Sequence, residues 1–525
     1  MVARFLADQP LLTLFLALAI GTLLGRLRMG GVAAGPAVAL FAGLAISATL
    51  PATADAVPAV VGTLGLTLFA YTVGLAGGPS FFSGIRREAR TILLAVAAFV
   101  LLAVVAHVVG RALGLGAGDI AGTFAGATTN TPGLQAAVEA TGDTQPVVGY
   151  SLAYPFGVLG MIVAIVVGLR WSRARPTSED LDPPPPAAYR TVEVTAPSLP
   201  RLADLSRFEG ATLVFSRVAR NGRETTPDAD LQPRPGDLLT VIGPETTLER
   251  FVEHVGRLAP DDLPLDRHQV DFRRVVLSNP RYAGATVAEL DLARFDGVAG
   301  FVRRGDVDLV ARPDLQVELG DRIRVVAPRD RLAEVVDELG DSERAAVTAD
   351  PIGFSLGLLI GLGIGAIPIV FPGLTLTLGT AAAPLLVGLV LGRVGRTGPV
   401  TWQLPYATNQ ALRQLGALLF LATVGLGAGP DLADALGTGD GLVLLAFGAG
   451  LTTAVAIVLL VLARQLGLGG ARLAGTLAGA QNQPALLTFA VDRTDGDDRV
   501  NLAYALLFPP TFVVKILAAQ VLANL

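Results

Sequence analysis

Two short stretches carry the residue types from which a binding site could be built. In the first, Thr128, Thr129, Asn130 and Thr131 stand directly before Pro132 and Gly133. In the second, Gln481, Asn482 and Gln483 stand directly before Pro484. Both stretches interrupt apolar sequence. A broken helix leaves amides and carbonyls without helical partners, and its N-terminal ends carry partial positive charge. Such ends suit a carboxylate, with the Thr, Asn and Gln side chains as further hydrogen-bond partners. The plainer alternative is that these side chains only hold packed helices together. Arg413 lies about ten residues into an apolar run, where a charge faces a cavity or a partner. Its guanidinium can grip a carboxylate through two bonds; an ion pair with a buried acid, or snorkelling, would serve equally. Lys515, the only lysine, also falls within an apolar run. It would compensate a bound anion or pair with backbone carbonyls. Tyr154 and Tyr504 recur at matching places and would line the site or pack in the core.

The surrounding chain is made for lipid. Of 525 residues, 52% are hydrophobic and 16% charged, and the mean hydropathy is +0.57. This composition describes a polytopic membrane protein rather than a soluble enzyme. The absence of cysteine excludes disulfides, thiolate metal sites and Cys nucleophiles. A net charge of −5 gives no indication of a nucleic-acid partner. No base–nucleophile pair or metal-ligand cluster suggests catalysis, and no cofactor is expected. His107, Glu139, Asp143, Asp492 and Asp495 read more simply as interfacial or solvated residues than as proton relays.

A helix crosses a bilayer with roughly 20 apolar residues. On that basis spans are expected at 10–27, 31–51, 57–79, 91–113 and 146–170, and again at 352–371, 374–392, 403–428, 441–464 and 500–524. The segments 118–140 and 472–492 are left over in matching positions. The two blocks repeat: "AGTFAGA" (121–127) matches "AGTLAGA" (474–480) at six of seven positions, "TVGL" occurs at 72–75 and 423–426, and "LAY" at 152–154 and 502–504. Internal duplication of this kind is common in secondary transporters. Arg26, Arg28, Arg86, Arg87, Arg90, Arg170, Arg173 and Arg175 follow odd-numbered spans, which puts those loops and the chain's centre in the cytoplasm. Five crossings per block then make the copies inverted, provided that the leftover segments enter and return; if those segments cross, the copies are parallel.

The polar centre opens with a proline-rich linker at 176–186. Two β-rich units follow, 187–260 and 267–345. Each has a strand, a basic turn, a Gly-Asp pair (Gly236-Asp237, Gly320-Asp321), an alternating strand and an amphipathic helix. Arg303, Arg304 and Arg312 would bind an anionic effector or simply form a charged surface.

These features together resemble the aspartate:alanine exchanger family. "GATTNTPGLQAA" and "GAQNQPALLTFA" are similar to its paired signatures, and "LRQLGALLFLATVGLGAGP" (412–430) to its third-span motif. The central units look like the TrkA-C modules of potassium-channel regulators. The resemblance covers nearly the whole chain. It implies a polytopic α-helical membrane protein with two inverted repeats, 1–175 and 350–525. Each repeat would have five spans plus a re-entrant or broken-helix segment, and two α+β TrkA-C-like cytosolic domains would lie between the repeats. It also implies exchange of small carboxylates or acidic amino acids across a bacterial cytoplasmic membrane, with no enzymatic activity. The site would be Thr128, Thr129, Asn130, Thr131, Pro132, Gly133, Gln481, Asn482, Gln483, Pro484 and Arg413, with Tyr154, Tyr504 and Lys515 lining it. Further expected partners are the bilayer, a small effector on the central domains and a second copy in a homodimer. A regulated ion channel or an ion-coupled symporter is the competing reading.

Overall fold

A computed structural model describes the chain apart from residues 1, 26–27, 30–31, 34–37, 85–87, 178–179, 181–186, 210, 261–262, 264–267, 305–306, 344–347, 349, 372–373 and 495–496. Arg26, Arg86, Arg87, Asp495 and most of the 176–186 linker therefore lie outside the described residues. Two compact units emerge. One comprises 1–182, 355–393 and 411–525, and the other 183–354 and 394–410.

The first unit is helical. Its opening half contains α1 (Pro10–Gly25), α2 (Val38–Thr49), α3 (Ala59–Gly84), α4 (Ala89–Ala112), α5 (Ala117–Ala127), α6 (Thr131–Thr141) and α7 (Gln145–Ala174). Among the described residues, six helices are long and apolar enough to cross a membrane: Ala59–Pro79, Ala89–Ala112, Gln145–Ala174, Tyr406–Ala435, Gly441–Gln465 and Arg499–Asn524. The other four expected spans become short helices of 10–17 residues: α1, α2, Pro351–Gly365 and Gly379–Val394. Hydropathy registers apolar sequence but not where a helix must stop. Pro368 and the Pro372-Gly373 pair bracket β-branched Ile369 and Val370, and an antiparallel strand pair forms there, Ile369–Phe371 with Leu374–Leu376. Arg28–Met29 and Val32–Ala33 form a comparable pair between α1 and α2. Large side chains on α4, including Leu93, Val100, Leu101, Val104 and Val108, face outward, as a lipid-facing helix requires.

The repeated "AGTxAGA" motif is a packing device. A Cβ on Gly122 would overlap the Pro146 carbonyl, and one on Gly126 the Tyr150 carbonyl. These glycines, four residues apart, let α5 lie against the backbone of α7. The contacts ascend together, Gly118 beside Gln145 and Gly126 beside Tyr150, so α5 and α7 run in the same direction. Because α6 ends at Thr141 and α7 starts at Gln145, α6 brings the chain back to the level from which α5 set out.

In the second unit, strands β1 (Ala187–Val194), β2 (Val214–Arg220), β3 (Arg223–Thr225) and β4 (Leu238–Pro244), helix α8 (Glu245–Val255) and strand β5 (Gly256–Leu258) form one antiparallel sheet with a covering helix, in the strand order β3-β2-β4-β1-β5. Strands β6 (Val270–Val276), β7 (Val298–Arg304), β8 (Val307–Val310) and β9 (Arg322–Pro328), with helix α9 (Leu332–Leu339), form another in the order β8-β7-β9-β6. The orders coincide strand for strand, apart from the extra edge strand β5. Both sheets carry a register shift at the same place, Phe215/Arg217 in one and Ala299/Phe301 in the other. The two Gly-Asp pairs also do the same work. Arg220 binds Asp237 through two bonds of 2.8 and 2.7 Å, and Arg304 binds Asp321 through two of 2.9 and 2.6 Å. Burial alone would raise the Asp237 carboxyl, but Arg220 and the Arg234 amide hold it below the ordinary carboxylate range. Arg304 also pairs with Glu318 at 2.7 Å, so its charge is spent inside its own module. Arg312 pairs with exposed Asp314.

Candidate functional site at the tips of two broken helices

The second half of the helical unit continues with α10 (Pro351–Gly365), α11 (Gly379–Val394), α12 (Tyr406–Thr438), α13 (Asp440–Gln465), α14 (Gly470–Gln481), α15 (Pro484–Arg493) and α16 (Asp498–Asn524). Its element order repeats that of α1–α7. As with α5 and α7, Gly475 packs on the Val500 backbone and Gly479 on the Tyr504 backbone, so α14 and α16 also run in the same direction. α14 runs opposite to α7. Gly470 abuts Leu169 and Ser172 near the end of α7, while Gln481 reaches Gly157 in its middle. The end of α5 reaches the same level, with Gly157 against Gly126, Ala127 and Thr129. The two broken segments thus approach the middle of α7 from opposite ends and touch.

At each break one residue adopts a left-handed backbone, Thr129 at φ 47° and Asn482 at φ 58°. Asn tolerates this region, but for a β-branched residue it is strained. The next residue caps the following helix: the Asn130 side chain accepts from Gly133 N at 2.7 Å, and the Gln483 side chain from Ala485 N at 3.4 Å. Structure therefore pairs Thr129 with Asn482 and Asn130 with Gln483. Pro132 and Pro484 fall in the first turns, where a missing N–H costs nothing. The amides expected to be open at these ends are thus partly occupied by the protein's own caps.

The tips are stitched to each other. The Thr129 hydroxyl donates to the Gln481 carbonyl at 2.7 Å. Gln481 Nε2 donates to the carbonyls of Ala127 at 2.9 Å and Gly157 at 3.1 Å. Lys515, fully buried on α16, donates to the carbonyls of Thr128 at 3.0 Å and Ala480 at 2.8 Å. Those carbonyls lie at the C-terminal ends of α5 and α14, where the last turn leaves carbonyls without helical partners, and Lys515 satisfies one from each helix. On another flank, α7 offers two tyrosines one turn apart, their rings 5.3 Å from each other. The Tyr150 hydroxyl bonds Thr131 at 2.8 Å, and the Tyr154 hydroxyl accepts from Gln483 at 2.6 Å. Asn130 donates to the Phe512 carbonyl at 3.1 Å. Asn482 donates to the Phe508 carbonyl at 2.8 Å and to the Thr511 hydroxyl at 3.2 Å.

Two buried acceptors at the second tip, Gln481 Oε1 and Asn482 Oδ1, have no hydrogen-bond partner among the described residues. Buried polar atoms are rarely left unmade, so this is where a donor-bearing ligand has most to offer. The Thr128 side chain, by contrast, turns back onto the Phe124 carbonyl of its own helix. Arg413 lies seven residues into α12, half-buried. Tyr150 and Thr511 were not singled out in the sequence. Tyr150 had one available signal: it stands four residues before Tyr154, on the same helical face.

This arrangement defines a polytopic helical membrane protein with paired broken helices meeting inside it. The chain belongs to the aspartate-alanine exchanger family: the family model described as a predicted permease membrane region matches residues 13–170 and 353–524. A TrkA-C domain model matches residues 272–340, the second of the two sheets. The chain is 40% identical to an uncharacterized transporter of Geobacter sulfurreducens, over 99% of both chains. It is 38% identical to one of Cutibacterium acnes, over 99% of this chain and 98% of that one, and 39% identical to one of Symbiobacterium thermophilum, over 98% of each. No solved structure matches.

Proposed function

We propose that this protein is a secondary transporter that exchanges small carboxylates or acidic amino acids by alternating access, with its site where α5–α6 meets α14–α15. The observation that carries this reading is the tip-to-tip junction, held by Lys515 bonding both C-terminal carbonyls and bearing two unpartnered amide oxygens. An amino group would satisfy Gln481 Oε1 and Asn482 Oδ1, and Arg413 would neutralise a carboxylate. Broken helices at membrane depth persist where they line such a site.

In this reading residues 1–175 and 350–525 are inverted repeats, and each broken segment is re-entrant. The parallel course of α5 with α7 and of α14 with α16, and the opposed course of α14 and α7, support it. The β1–β5 sheet (187–260) is then a diverged second copy of the TrkA-C fold (267–345), a view supported by the shared strand order and register shift. Both modules would be cytoplasmic, in a homodimer in the bacterial inner membrane.

The test is counterflow in proteoliposomes. Vesicles preloaded with unlabelled aspartate should take up labelled aspartate, or another small carboxylate, well above empty vesicles. Arg413→Ala and Asn482→Ala should abolish uptake while leaving the amount of folded protein nearly unchanged. Uptake that needs no internal substrate would overturn exchange, and normal uptake in both variants would overturn the site.

A further inference from the structure

The two broken segments differ at their roots. In the first copy α5 starts behind Gly116 and carries an acidic residue, Asp119, in its first turn. In the second copy α14 starts behind Gly469 and carries none. Aligning "AGTFAGA" with "AGTLAGA" sets Arg472 where Asp119 stands. The N-terminal end of a helix favours negative charge, and a cation there is misplaced. The second root therefore draws its carboxylates from outside the helix.

It receives two. Glu88, just before α4, pairs with Arg472 at 2.8 Å. Asp180 reaches the helix backbone itself. Its Oδ1 accepts from the Gly470 amide at 2.6 Å, the first N–H of α14 and one without a helical partner. Its Oδ2 accepts from the Ser172 hydroxyl, near the end of α7, at 2.6 Å, and from the Thr177 amide and hydroxyl at 2.9 and 3.0 Å. Burial alone would raise this carboxyl, but the bonds from Ser172, Thr177 and Gly470 hold it below the ordinary carboxylate range. One ionised group thus ties the start of α14 to the end of α7. The helices are close there: a Cβ on Gly470 would lie 3.2 Å from Ser172 Cβ.

Asp180 belongs to neither helix. It lies on the connection from α7 to the central domains, seven residues before β1 begins at Ala187. A carboxylate within the helix, like Asp119 in α5, stays with its helix wherever the helix moves. A carboxylate on the connection can be withdrawn without unfolding anything.

We propose that Asp180 is a latch on the α14–α15 hairpin: while it bonds Gly470 and Ser172 the hairpin is shut against α7, and its release opens the site toward the cytoplasm. The end of α14 that it holds is the one that the arginine-rich loops assign to the cytoplasm. That opening serves transport rests on the exchange reading given above; the latch itself rests on the contacts. Withdrawal of Asp180 by the connection gives the central domains a means to act on the transport site.

The chain has no cysteine, so introduced ones test the latch in both directions. Thr476→Cys, buried on α14, reports opening, and Thr123→Cys, its counterpart on α5, is the control. In permeabilised cells a membrane-impermeant maleimide labels Thr476→Cys at least about tenfold faster once Asp180→Ala is added, the scale of a lost charge-assisted bond. Labelling of Thr123→Cys does not change. In the opposite direction, Ser172→Cys/Gly470→Cys closes to a disulfide, because the two Cβ positions lie within a few tenths of an ångström of the usual spacing of about 3.5–4.5 Å. Oxidised in proteoliposomes, this variant loses counterflow, and a reductant restores it. The proposal is overturned if Asp180→Ala leaves Thr476→Cys labelling unchanged, if it speeds labelling of both cysteines alike, or if the disulfide-locked protein exchanges as fast as its reduced form. A wild type without counterflow would instead overturn the exchange reading, and the labelling rates alone would then decide the latch.

Discussion

Lys515 shows how a residue's chemistry is legible in sequence while its use is not. Its position inside an apolar run announces a buried cation, but the run does not say which oxygens receive it. They are main-chain carbonyls of Thr128 and Ala480, from two segments that are distant in sequence, with the Phe99 ring 4.9 Å away. The same holds for the polar clusters. Their presence at a helix break is visible in the sequence, yet Thr128 and Thr129 differ completely in role. The Thr129 hydroxyl ties the two tips together, whereas that of Thr128 folds back on Phe124. This gives a contrast that can be measured. Lys515→Met keeps the chain length but strands two buried carbonyls, and a buried acceptor left without its partner costs about 1–3 kcal/mol. It should lower the thermal midpoint clearly and abolish exchange. Thr128→Ala leaves the carbonyl that Lys515 uses and should cost no more than about 1 kcal/mol, with exchange largely preserved. Equal losses in the two variants would mean that the Thr128 hydroxyl does what is assigned here to its carbonyl.

At the scale of elements, the repeats were the clearest signal in the sequence, and their meaning was mixed. The "AGTxAGA" repeat marks the broken segments, but its glycines serve close packing rather than ligand contact. In "TVGL", Gly74 meets the Leu385 carbonyl and Gly425 the Leu40 carbonyl in the same way. A sequence repeat cannot separate these purposes, because close packing and ligand binding both favour small residues. The short helices were hidden for a different reason: α2 and α11 lie in apolar stretches long enough to span, and only Pro368 and the Pro372-Gly373 pair hinted at the strand pair preceding α11. The packing role leads to a specific expectation. Gly126→Val places a branched side chain against the Tyr150 carbonyl, and overpacking of this kind costs about 1–3 kcal/mol or more. The variant should elute as aggregate in size-exclusion chromatography of detergent extracts. Gly427→Ala, with open space around its Cβ position, should elute like the wild type. A monodisperse, stable Gly126→Val protein would mean that α5 can move away from α7 without cost.

At the scale of the whole molecule, one fact decides the symmetry: whether each broken segment returns to the face from which it entered. Arginine placement favours the return, but composition leaves it open, because segments of the length of 118–140 and 472–492 can cross or return with the same hydropathy. The helix contacts bear on it directly. The loop 142–144 lies level with the start of α5, and the start of α14 lies against the far end of α7. If the copies are inverted, exposed Asp143 and exposed Asp492, which stand at the ends of the two broken segments, lie on opposite faces of the membrane. The chain contains no cysteine, so single-cysteine variants carry no background. In intact cells a membrane-impermeant maleimide should label Asp143→Cys from outside, since the arginine-rich loops assign the opposite face to the cytoplasm. It should label Asp492→Cys only after the membrane is permeabilised. Labelling of both in intact cells, or of neither, would make the copies parallel, and the tips could then no longer meet from opposite sides.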